Sequence, residues 1–127
     1  MNKAVYDTRF FVEFYYSKDS EALQRMKEEK KRREKFISTV VIHEVYRLTL
    51  AREGRETATL RATLLTQDFK AVSVTPQIAV ISAELRHKYN LPMADSIIAA
   101  TASSLKADCV SDDPHFKHIK EINTIWV

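Results

Sequence analysis

The sequence predicts an α/β fold, a three-layer α/β/α sandwich with a mostly parallel sheet of about four to five strands. Three observations predict it. Short apolar runs of strand length recur along the chain, separated by longer runs with helical periodicity, and that alternation implies parallel strands joined by helical crossovers. The 127 residues are 45% hydrophobic and 29% charged, the proportions of a single globular domain spanning 1–127. No internal repeat, low-complexity segment or linker marks a boundary inside it.

Taken in order, "KAVYD" is a short apolar run that ends in an acid and reads as a first buried strand. Phe10, Phe11, Phe14 and Tyr15 follow, until residues 17–20 break the pattern, and Ser20 is placed to cap a helix that runs into a basic segment. "FIS" fits a short second strand, and "TVVIHEVYRLTLARE" a helix closed by Gly54. Another helix fits "RETATLRATLLTQDF". "AVSV" reads as a strand, and "TPQIAVISAELRHKYN" as a helix with Thr75 as cap and Pro76 at its first position. The small and apolar run "LPMADSIIAATA" makes the next helix. The strand "DCVS", the turn "DDPHF" and a last strand "TIWV" complete the alternation.

Composition excludes several classes. Average usage would give about nine glycines in a chain of this length. Gly54 stands alone, so neither a Walker loop nor a dinucleotide-binding loop can be built. The single cysteine, Cys109, excludes an internal disulfide and a cysteine-based zinc cluster, and in "ADCVS" it reads as core filling. No apolar run approaches the roughly 18–20 residues of a membrane span, and the start lacks a signal peptide's apolar region, so no membrane association and a cytoplasmic location are expected. The net charge of +3 comes from residues 25–35, which hold seven Lys or Arg against three Glu. Such a run is either a solvated face with internal ion pairs or a phosphate-attracting edge.

The acids carry the functional signal. Asp7 closes the first strand, and Asp112 and Asp113 follow the strand "DCVS", so all three belong at the carboxyl edge of a parallel sheet, where ligands bind. Glu44 shares a helical stripe with Val41, Val45 and Leu48, and Asp95 shares one with Ile98, Ala99 and Ala102. Each has a purely structural alternative. Asp113 before Pro114 can cap a helical turn, Asp95 can cap a helix beginning at Ser96, Glu44 can pair with Arg47, and Asp7 can be a polar strand end. Their joint placement favours a bound divalent cation, because clustered carboxylates without basic partners repel one another. Mg²⁺ or Mn²⁺ held by oxygen ligands suits phosphodiester hydrolysis without a covalent nucleophile. His115 and His118 read instead as exposed helix surface, with no third His or Cys to complete a histidine site. Tyr6, Tyr15, Tyr16 and Tyr46 read as core side chains before they read as a base-stacking platform.

Four segments, "VYDT", "STVVIHEVYRL", "LPMADSIIAATA" and "CVSDDPHF", together resemble the PIN-domain fold, and in particular the VapC-type toxins of type II toxin–antitoxin systems. The likeness spans nearly the whole chain and keeps the family's order and spacing. It implies a metal-dependent endoribonuclease acting on RNA, with Asp7, Glu44, Asp95 and Asp113 as catalytic metal ligands. Asp112 is a neighbouring candidate, and Thr8 and Ser111 match hydroxyl positions beside the site. It also implies a homodimer and a small VapB-like antitoxin that covers the acids. One departure stands out: Arg9, Phe10 and Phe11 follow Thr8, where the family often has a small or branched apolar residue. Arg9 either pairs with an acid or contacts substrate phosphate. A receiver-like signalling domain is disfavoured by motif order, since the acid pair comes late and "AVSVTP" carries no Asp. The serious alternative is a catalytically inactive PIN-like module that binds RNA or protein.

Overall fold

The computed structural model describes residues 2–127 apart from the Arg32 side chain, so Met1 of the predicted domain and that one side chain of the basic segment lie outside the described residues. Five strands form one sheet: β1 (Lys3–Tyr6), β2 (Glu34–Ser38), β3 (Lys70–Val72), β4 (Asp108–Val110) and β5 (Thr124–Ile125). Every pairing is parallel and the order is β3-β2-β1-β4-β5. Six helices cover the sheet, giving the three-layer arrangement expected: α1 (Thr8–Tyr16), α2 (Ser20–Arg32), α3 (Thr39–Glu53), α4 (Arg55–Asp68), α5 (Pro76–Tyr89) and α6 (Met93–Leu105). A 3₁₀ turn occupies Pro114–Phe116.

β1 is central because Ala4, Val5 and Tyr6 have no polar side chain to keep wet except one phenol, and all three are fully buried. Val5 stands in register with Phe36 of β2 and Cys109 of β4, which makes Cys109 a core residue, as expected. Phe10 and Phe11 dock α1 onto this core through edge-on aromatic contacts, Tyr6 to Phe10 at 4.8 Å and Phe11 to Phe69 at 5.2 Å between ring centres. On α6 the small side chains of Ala99, Ala100 and Ala102 are fully buried beside Ile98, and the helix packs against β1, β2 and β4. Small residues let its backbone approach the sheet closely.

Helix ends follow local chemistry. Ser38 caps α3 by accepting from the Val40 N–H, and Gly54 ends it at φ 90°, a conformation that disfavours any side chain. The cap of α2 is Asp19 and not Ser20, because the Asp19 carboxylate accepts from both Glu21 and Ala22. Two strands are shorter than the sequence suggests. β2 turns into α3 after Ser38, leaving Ser73 and Val74 without a partner, and β4 ends at Val110, leaving Trp126 and Val127 likewise. Among the described residues no helix is long and apolar enough to cross a membrane.

From β1 the chain moves outward to β2 and β3, then crosses back to β4 on the other side of β1 and on to β5. The direction of winding therefore reverses between β1 and β4. That switch leaves a crevice at the carboxyl ends of these two strands. The basic segment lies at the other edge, where Lys35 stands beside Ala4 and Arg33 pairs with Glu29 and Asp108.

Candidate active site

Asp7 follows β1 directly and caps α1, its Oδ1 accepting from the Thr8 N–H at 2.8 Å. Oδ2 accepts from the Ser111 hydroxyl at 2.6 Å, just past the end of β4, and the Asp7 N–H donates to the Val110 carbonyl. The carboxyl is only 2% exposed. Burial pushes its pKa up to about 7, helped by the charges of Asp95 and Asp113 and opposed by the Ser111 and Thr8 hydrogen bonds.

Asp95 lies in the first turn of α6. Burial raises its pKa to about 6, with repulsion from Asp113 and Glu44 adding to the effect and His115 working against it. Asp95 is not a helix cap. α6 begins at Met93 with Pro92 before it, so position 95 falls inside the helix and its carboxylate is free to face the crevice. Asp113 does cap the 3₁₀ turn, accepting from the His115 N–H at 2.9 Å, while its own N–H donates to Ser111 Oγ at 3.0 Å. Ser111, 3% exposed, thus ties Asp7 and Asp113 together through one hydroxyl.

Glu44 reaches the same crevice from the second turn of α3, and its Oε1 accepts the Thr8 hydroxyl at 2.5 Å. The alternative pairing with Arg47 is absent among the described residues. Asp112 points elsewhere, taking the Arg9 guanidinium in a two-pronged contact at 3.0 and 3.3 Å, with Glu13 nearby. Of the two readings of Arg9, the one in which it pairs with an acid describes this geometry.

Sequence reasoning put His115 on exposed helix surface. It is half-exposed, yet its Nδ1 lies 3.0 Å from Asp95 Oδ2 and 2.9 Å from Asp113 Oδ1. The ligand atoms of Asp95, Asp113 and His115 all fall within 4.8 Å of one another. The signal was present in "DDPHF", since a cap at Asp113 followed by proline folds residue 115 back onto the capping carboxylate. Among the described residues, His118 shares no such contact. Beside Glu44, a cleft of about 430 Å³ runs along α3, lined by Thr8, His43, Glu44, Arg47, Leu48 and Ala51.

This donor set fits a hard divalent cation. Oxygen predominates, two carboxyls are held protonated to near-neutral pH by burial and mutual repulsion, and none of Asp7, Glu44, Asp95 and Asp113 meets a lysine or arginine among the described residues.

Several solved structures with the same architecture are VapBC proteins or VapC toxins. A DNA-bound VapBC from Salmonella typhimurium has a TM-score of 0.81 at 17% identity, covering 99% of this chain and 98% of that one. VapBC2 of Rickettsia felis, bound to a promoter DNA fragment, has a TM-score of 0.80 at 16% identity, with 98% of each chain covered. The Mycobacterium tuberculosis toxin VapC20, described as cleaving the sarcin–ricin loop, has a TM-score of 0.75 at 17% identity, covering 94% of this chain and 98% of that one. No curated protein sequence matches significantly. The profile of the PIN domain matches residues 4–122, which takes in all four acids, β4 and all but the first residue of β1, and the chain belongs to the PIN domain family.

Proposed function

We propose that this protein is an endoribonuclease that hydrolyses RNA phosphodiester bonds with Mg²⁺ or Mn²⁺, and that it is the toxin of a VapBC-type pair. One observation carries the reading: four carboxylates from distant segments share one crevice, with no lysine or arginine among the described residues to neutralise them. Asp7, Glu44, Asp95 and Asp113 would hold the cation, with His115 next to two of them. A bound divalent ion supplies charge neutralisation at the phosphate and acidity for the attacking water. The remaining work falls to the chain. Ser111 fixes Asp7 against Asp113, Thr8 aims Glu44, and the buried helix α6 holds Asp95 rigidly. In the metal-free protein, protons on Asp7 and Asp95 stand in for the cation, so metal uptake below about pH 6 displaces protons.

The toxin assignment is supported by likeness to VapBC proteins over nearly the full chain. With it come a VapB-like antitoxin, a homodimer and a cytoplasmic site of action. The test is cleavage of mixed structured RNAs by the purified protein with Mg²⁺ or Mn²⁺, with EDTA, and beside a folded Asp95→Asn control. Expected is cutting that needs metal and falls by about a hundred- to a thousandfold in the control, the cost of removing a principal electrostatic group. A protein that neither binds metal nor cuts RNA would sink the enzyme and leave a binding module.

A further inference from the structure

The cleft beside Glu44 adds a second set of side chains to the acids. Its volume of about 430 Å³ is that of a small-ligand site. The wall from His43 to Ala51 is roughly 12 Å long at the rise of an α-helix. Leu48 and Ala51 give it apolar surface, while His43 and Arg47 are exposed at its side.

Arg47 stands three residues after Glu44, where an ion pair on the helix surface would be the ordinary outcome. Thr8 takes the Glu44 oxygen instead, and Arg47 meets no carboxylate among the described residues. Arg9, Arg33 and Arg61 are each held by an acid, and of the other described arginine side chains only Arg47 lines this cleft. A polyanion approaching four carboxylates is repelled, so a strand that binds across them needs a cation fixed just beyond. Arg47 supplies one, next to apolar surface of the kind a ribose or base covers. We infer that this cleft is a nucleotide subsite in which Arg47 holds a backbone phosphate of the RNA adjoining the bond to be cut. The inference rests on the ribonuclease reading and adds to it the side on which the strand runs.

The test is binding of a nuclease-resistant, single-stranded 2′-O-methyl phosphorothioate oligoribonucleotide to the Mn²⁺-loaded protein over a range of salt concentrations. Wild type, Arg47→Ala and Arg47→Lys are compared. Losing one charge-assisted phosphate contact is expected to weaken binding about tenfold or more. The slope of log affinity against log salt becomes shallower by about 0.7, the value for one phosphate on a single strand. Arg47→Lys keeps the slope and recovers most of the affinity. The Mn²⁺-induced rise in melting temperature is the same in all three, because Arg47 touches no acid. Wild-type affinity and slope in Arg47→Ala would overturn the subsite while leaving the nuclease intact. If wild type and variants alike fail to bind the strand and to cut RNA, the ribonuclease reading fails, and the subsite with it.

Discussion

Replacing Asp7 by Asn is expected to stabilise the metal-free protein, and the gain grows with pH. The Asp7 carboxyl has a folded-state pKa of about 7 against an ordinary value of 3.8. The native state therefore keeps a proton that the unfolded chain releases. Its contribution to stability is complete below the ordinary value and is lost as pH rises to about 7. The gap of about three pH units corresponds to a penalty on the order of 4 kcal/mol above pH 7, at about 1.36 kcal/mol per unit. Asparagine avoids the charge and can keep both contacts: its Oδ1 still accepts from Thr8, and its Nδ2 can donate to Ser111 Oγ, whose hydroxyl rotates. In a domain of this size the gain is a rise in melting temperature on the order of 10 °C at pH 8. Between pH 5 and pH 8 the difference between variant and wild type widens by about 3 kcal/mol. The assay is urea unfolding in EDTA at several pH values. A variant no more stable than wild type at pH 8, or a difference that does not grow with pH, would refute the claim that Asp7 is a buried, uncompensated charge. Saturating Mn²⁺ is expected to erase the variant's advantage by stabilising only the wild type.

Three further outcomes follow from named contacts. Ser111→Ala removes the donor that lowers the Asp7 pKa, so Mn²⁺ affinity by calorimetry falls about 10–100-fold and the acid limb of the pH–rate profile moves to higher pH. Ala99→Leu overfills the fully buried contact between α6 and the sheet and costs about 1–3 kcal/mol in urea unfolding. Arg9→Ala breaks a pair whose side chains are 47% and 31% exposed, so it changes stability by less than about 1 kcal/mol, an effect that fades in high salt.

The fold was legible where the sequence carries its own punctuation. Gly54 closes α3, and Thr75 with Pro76 opens α5, because caps are local chemistry that neighbouring residues suffice to satisfy. Strand ends were less legible, since they depend on where the partner strand stops: β3 ends at Val72 because β2 ends at Ser38. At the crevice, the residue types were readable and their partners were not. Glu44 had a local cation three residues away and took instead a hydroxyl 36 positions distant. Asp112 and Asp113 look alike in sequence, yet Asp112 is drawn off by Arg9 across 103 positions while Asp113 turns toward Asp95. His115 reads as plain surface in the sequence because its two carboxylates come from different segments, only one of which is adjacent in the chain.

The strand order has a consequence in time. Asp7 is anchored by Ser111, 104 residues later, across the β1–β4 pairing. At roughly 5–20 residues per second of synthesis, that separation is about 5–20 s of translation. Once residues 34–38 have been made, β1 can pair with β2, but its other edge stays open until β4 follows, and Asp7 stays apart from Asp95 and Asp113. The crevice exists only after the fourth strand has been made, so a growing chain carries the acids long before it can assemble them.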